Sequence, residues 1–200
     1  MQRDYVSAVR VLCVLRVLTL LALVIGALGG CGASPSVSGV QRPPTSATAI
    51  TIQTFHYAVT LRPLNASGVS GSAQLDLTGN VLVVTIHANG LQPNREHYQH
   101  IHGNLGGVVA CPTPADADAS GMLTVARGLA VVGPIVLDLQ PYPSVTGPGA
   151  VDWAQSYTLT PDEQSSLVPL TDHVVVLHGM TSHGVYDRAL FVACGPIRAA

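Results

Sequence analysis

The chain has 200 residues, 48% of them apolar and 4% aromatic, with nine basic side chains, every one arginine, against eleven acidic ones. A formal net charge of -2 without a basic stripe argues against nucleic acid as a partner and leaves no cationic surface to draw in small anions from a distance. The apolar content suits one core-forming domain once an N-terminal leader is set aside.

Arg3, Arg10 and Arg16 precede an apolar run from Val17 to Ala27, and Gly29 and Gly30 lead into Cys31. That is the order of an export signal. From Val17 to Gly30 the run is about 14 residues, short of the roughly 20 that a membrane-spanning helix needs. Leu28-Gly29-Gly30-Cys31 resembles a bacterial lipobox, which implies cleavage before Cys31, a lipid on its sulfur, and a mature chain anchored to the outer face of the cell membrane or to the outer membrane. Residues 1–30 are then the signal and 31–51, rich in Ser, Pro, Gly, Thr and Ala, a flexible tether. The domain is expected over 52–200.

Short strand-like segments split by turn residues fill that domain: Tyr57 to Leu61, Ser72 to Leu77, Val81 to His87, His97 to His102, Ile135 to Leu139, Trp153 to Leu159, Val174 to His178 and Leu190 to Ala193. Thr78-Gly79-Asn80 reads as a tight hairpin between the second and third. Thr160 is placed to cap one or two helical turns over Pro161 to Leu170, and Pro141 to Gly149 reads as a surface loop. About eight strands without a dominant helix predict an all-β fold, an antiparallel Greek-key sandwich or barrel.

Of the four cysteines, Cys13 leaves with the signal and Cys31 carries lipid, so Cys111 and Cys194 remain as one pair, expected to be bonded in an oxidising compartment. Such a bond would stabilise the fold by about 4 kcal/mol in the chain-entropy picture.

Gln99-His100-Ile101-His102-Gly103 puts two imidazoles two residues apart, on one face of an extended strand. His178 closes the run Val174-Val175-Val176-Leu177, so three imidazoles can meet at strand ends. This outlines a metal site with copper as its first candidate. His183, in the loop just after His178, is a candidate fourth ligand. His97 is expected to point away from His100 and to be solvated, and His56, His87 and His173 read as ordinary surface or strand histidines.

The order of these pieces resembles the copper/zinc superoxide dismutase superfamily and the chordin-type repeat (CHRD) domain, which shares the His-Ile-His-Gly signature. The likeness runs from about Ala58 to Ile197, through Val81 to Leu91, Tyr98 to Gly103, Val174 to Gly179 and Ala193-Cys194-Gly195. It implies a dismutase-like β-sandwich, copper on His100, His102 and His178, and a disulfide from Cys111 to Cys194. Dismutase chemistry and copper holding without turnover are the activities it implies, with a non-catalytic structural or adhesive module as the alternative. The dismutase pattern also places a bridging histidine and zinc ligands between its two copper motifs, yet Gly103 to Thr171 holds no histidine, so zinc is not expected. The substrate-guiding arginine three residues before the last cysteine is Phe191 here, with Arg188 as the nearest substitute.

Asp116-Ala117-Asp118-Ala119-Ser120-Gly121 follows the opening order of a calcium loop, with Asp116, Asp118 and Ser120 at its first three ligand positions and Leu123 at the eighth. Arg127 stands where the bidentate glutamate belongs, which argues against tight calcium binding and for an Asx-type turn. No Gly-x-Ser-x-Gly elbow or phosphate loop is present in the sequence.

Overall fold

Alternation of apolar and polar side chains builds the first sheet. Along β1 (Thr54–Pro63), β2 (Ser70–Thr78) and β3 (Val81–Asn89), Val59, Leu61, Leu75, Leu77, Leu82, Val84 and Ile86 are buried, while Gln74, Val83 and His87 face outward. This is the period-two pattern of a sheet with one dry face. Thr78 pairs with Val81, so Gly79-Asn80 forms the two-residue turn read from the sequence, with Gly79 at φ 59°. The computed structural model describes residues 52–104, 106–145, 147 and 149–200. The export signal, Cys31 and the tether lie outside these residues, and no helix among those described is long and apolar enough to cross a membrane.

The chain continues through β4 (Arg95–Glu96), β5 (Gln99–His102), α1 (Val125–Val132), β6 (Ile135–Asp138), β7 (Ser144–Val145), β8 (Val151–Thr158), α2 (Pro161–Leu167), β9 (Val174–Ser182), β10 (Val185–Pro196) and β11 (Arg198–Ala199). The pairing is antiparallel throughout, in the order β6-β5-β9-β10-β1-β2-β3-β8, with β11 on β1 and a separate β4-β7 pair. The expected all-β antiparallel class is therefore what the chain builds. The sheet curls around Leu75, Val84 and Ile86 from one half and Ile101, Val175 and Leu177 from the other. Its free edges, β6 and β8, approach through side chains: Trp153 Nε1 donates to the Pro141 carbonyl and the Tyr157 hydroxyl to the Gln140 carbonyl.

One departure from the sequence reading matters for the site. Thr160 caps α2 in a capping box with Glu163, as expected, but α1 was not anticipated. Its β-branched Val125, Val131 and Val132 and its internal Gly128 mimic a strand locally. It forms because Thr124 caps it by accepting from the Arg127 amide, Gly133 ends it at φ 75°, and its buried face covers the outer side of the β5-β9-β10 half-sheet. There Val109, Leu123, Val132, Val174, Val176, Phe191 and Cys194 make a second, smaller core, closed by the Cys111–Cys194 disulfide.

The β10 strand reaches this outer core through a register shift. Phe191 pairs with His178 and Ala193 with Leu177, so one residue is inserted between them. An odd spacing would otherwise put Phe191 and Cys194 on opposite faces. The bulge lets both point outward while Val192 and Ala193 pack into the main core.

Gly128 is where α1 meets Phe191: a Cβ there would lie 2.4 Å from Phe191 Cε2. Gly128→Ala is therefore expected to lower stability by about 1–2 kcal/mol, because overpacking outweighs the gain of about 1 kcal/mol in helix propensity. Urea unfolding of the metal-free chain measures it, and a stabilised variant would contradict the packing described.

Candidate metal centre

Strand parity places the three histidines. Across the β5–β9 pair His100 faces Val176 and His102 faces Val174, so both rings emerge on the outer face together with Val174, Val176 and His178, while Ile101, Val175 and Leu177 turn inward. The site is not an open rim. It lies on the face of the sheet, under the α1 cover, and each of the three residues is at most 5% exposed.

One ring nitrogen from each of His100, His102 and His178 lies within 4.8 Å of the other two. His100 Nδ1, His102 Nε2 and His178 Nε2 are buried without a hydrogen-bond partner. The opposite nitrogens are all engaged. His102 Nδ1 is 2.9 Å from the Gly133 carbonyl at the end of α1, and His178 Nδ1 is 2.9 Å from the Ala189 carbonyl in β10. His100 Nε2 is 3.3 Å from a carboxylate oxygen of Asp138, its cross-strand partner on β6, and 3.4 Å from the Tyr142 hydroxyl. Carbonyl oxygens only accept, and the Tyr142 hydroxyl gives its own proton to Asp138, so these nitrogens donate, and a neutral ring then carries its lone pair on the other nitrogen. Three lone pairs are thus held facing a common point from behind, the arrangement typical of metal-ligating imidazoles.

Electrostatics keep the rings neutral. Burial, reinforced by repulsion from His102 and opposed by Asp138, lowers the His100 pKa to about 4. Burial and the neighbouring His100 lower that of His178 to about 3, against the Ala189 carbonyl, which favours the charged form. His102 is also lowered by burial, the Gly133 bond opposing it. The Phe191 ring packs 4.7 Å from the His178 ring and 6.2 Å from that of His102. On the other side Tyr142 donates to Asp138, lies 6.0 Å from the His100 ring and stacks on Tyr98 at 4.4 Å. Its pKa is raised by burial and by Asp138.

The remaining sequence candidates sit elsewhere. His183 is exposed in the β9–β10 turn at φ 51° and stays outside the cluster. His97, expected in solvent, is instead buried, with Nδ1 2.9 Å from the His178 carbonyl and Nε2 2.9 Å from that of Gln92. It braces the backbone of a site residue. His173 is also buried, its ring nitrogens against the Ser166 and Pro169 carbonyls and its ring against Gly103. His56 and His87 are exposed and paired with Asp76 and Asp152. The Arg188 guanidinium stacks 5.0 Å over Tyr98, one ring removed from His100.

The calcium-like loop folds as an Asx-type turn. The Asp118 carboxylate accepts from the Ser120 amide and hydroxyl and from the Met122 amide, and that of Asp116 accepts from the Thr113 amide and hydroxyl. These bonds hold both carboxylates below their ordinary pKa. Asp138, Tyr142 and the Gly133 and Ala189 carbonyls escaped sequence reading. Only Asp138 left a signal, as the one polar residue inside the predicted strand Ile135 to Leu139.

No family model matches the chain, and no curated protein does. Among solved structures it is similar to copper(II) superoxide dismutase 5 of Candida albicans, at 13% identity and a TM-score of 0.46 over 74% of this chain and 94% of that one. Two mutants of the same enzyme give 14% and 12% identity, each with a TM-score of 0.45, over 72% and 74% of this chain and 92% of theirs.

Because the three imidazoles hold protons more weakly in the fold than in the unfolded chain, acid favours unfolding. The loss starts as pH drops below about 6.5 and continues toward about 4 for His100 and about 3 for His178, each group contributing up to about 1.4 kcal/mol per pH unit within its window. The urea midpoint of the metal-free protein is expected to be level between pH 8 and 7 and clearly lower at pH 5. Equal midpoints at pH 7 and 5 would contradict neutral burial.

Proposed function

We propose that the chain is an exported, lipid-anchored protein whose domain binds one copper ion through His100 Nδ1, His102 Nε2 and His178 Nε2, with superoxide chemistry of the dismutase type as its activity. The observation that carries this reading is the convergence of three buried, partnerless ring nitrogens, each fixed in tautomer by a hydrogen bond on its far side, to the Tyr142 hydroxyl for His100 and to the Gly133 and Ala189 carbonyls for His102 and His178. Three imidazoles suit copper, which also tops the affinity order of the divalent first-row metals. Copper in such a site supplies one-electron exchange between Cu(II) and Cu(I), which is what superoxide dismutation requires. The chain's own residues provide the rest: the Gly133 and Ala189 carbonyls and the Tyr142 hydroxyl hold the far nitrogens of the three rings, and Phe191 packs against the His102 and His178 rings.

A second reading, copper holding without turnover, is favoured by Phe191 itself. It stands where the dismutase pattern has its guiding guanidinium, and Arg188 is spent on Tyr98. The CHRD-like structural module remains the outcome if copper is refused.

Titration of the full chain in mild detergent separates the readings. One equivalent of Cu(II) is expected to bind with a micromolar or tighter Kd, and a His100→Ala, His102→Ala double variant is expected to lose it. Less than about a tenth of an equivalent bound to wild type would end the copper reading. Faster superoxide decay with the loaded protein than with the double variant supports turnover, and equal decay leaves copper holding. For the anchor, a labelled fatty acid is expected to be incorporated into the wild-type protein and not into Cys31→Ser, and a wild-type protein that takes up no label would contradict lipidation there.

A further inference from the structure

Resting on the copper reading, we infer that the ion enters the three-histidine centre past Asp138 and Tyr142, with Asp138 as its first ligand and His100 as the ring that swings to receive it. All three donor nitrogens are sealed from solvent, so part of the wall has to move for an ion to arrive. The walls differ in what holds them. His102 is tied to the backbone at the end of α1 and His178 to the backbone of β10, while Phe191 is fully buried and pressed against Gly128. Moving any of these means opening a hydrogen-bonded element or the disulfide-closed outer core.

The His100 side is different in kind. Its ring is held only by side chains, through one long hydrogen bond of 3.4 Å to the Tyr142 hydroxyl, with an Asp138 carboxylate oxygen 3.3 Å away. The Asp138 side chain is 41% exposed, and Tyr98 and Tyr142 are both partly exposed. Side chains of this sort change rotamer in picoseconds to nanoseconds without backbone opening. Asp138 also offers what a cation meets first, an anionic oxygen reachable from solvent beside a ligand ring. One of its oxygens faces His100 and Tyr142, and the other accepts from Gln140 Nε2. Transfer is a ligand exchange: a copper–carboxylate oxygen bond breaks as the copper–imidazole nitrogen bond forms, with no change in oxidation state.

The test is the rate of copper loading by the full chain in detergent, using glycine-buffered Cu(II). Quenching of Trp153 reads it, since this single tryptophan bonds the Pro141 carbonyl next to Tyr142. Asp138→Asn is expected to load about fivefold or more slowly at low salt, with the gap narrowing as ionic strength rises, and still to take one equivalent. Asp138→Glu is expected to recover to within about twofold of wild type. Tyr142→Phe, which removes the hydroxyl that bonds Asp138 and His100, is expected to load faster than wild type. Wild-type loading by Asp138→Asn, slower loading by Tyr142→Phe, or a folded Asp138→Asn that takes no copper at equilibrium would each overturn the entry route. If Asp138→Asn fails to fold, Asp138→Glu and Tyr142→Phe carry the same decision. A wild-type chain that takes no copper would instead overturn the copper reading, and the entry route with it.

Discussion

Three imidazole lone pairs buried with nothing to bond are the demand around which the outer face of this domain is arranged. Each partnerless buried nitrogen costs about 1–3 kcal/mol, a large sum against a typical total stability of 5–15 kcal/mol. The same burial keeps the rings neutral at pH 7, which is the state that binds metal. A cation accepting all three lone pairs reverses the sign of the arrangement, because the desolvation that penalises the nitrogens strengthens their attraction for it.

Several features of the fold make sense as ways of holding that geometry. The bulge in β10 sends Phe191 outward, against the His178 and His102 rings. Gly128 leaves room for that ring, and α1 ends so that the Gly133 carbonyl meets His102. The Cys111–Cys194 disulfide pins the segment leading into α1 to the strand bearing Phe191. On the opposite side the curl of the sheet is closed by Trp153 and Tyr157 bonding to the residues just before Tyr142, so the sheet edges meet beside Asp138. Backbone therefore fixes two of the three rings, and solvent-facing side chains fix the third.

The strands, the hairpin at Gly79-Asn80 and the paired faces of His100 and His102 were legible because period-two alternation is a local signal. The partnership with His178 was legible from its place after a β-branched run and from the family resemblance. Three things were not legible. The helix α1 has the local composition of a strand and exists because of what it covers. Asp138 meets His100 only through cross-strand register, which no single segment encodes. The burial of His97 follows from two backbone carbonyls contributed by distant parts of the chain.

The central claim is that three particular imidazoles, and not merely some surface histidines, form the metal's ligand set. X-ray absorption at the copper edge of the loaded full chain tests it most directly. The account predicts a first shell with three imidazole nitrogens, falling to two in His178→Ala. A shell of oxygen ligands with one imidazole or none, or a spectrum unchanged by His178→Ala, would contradict it.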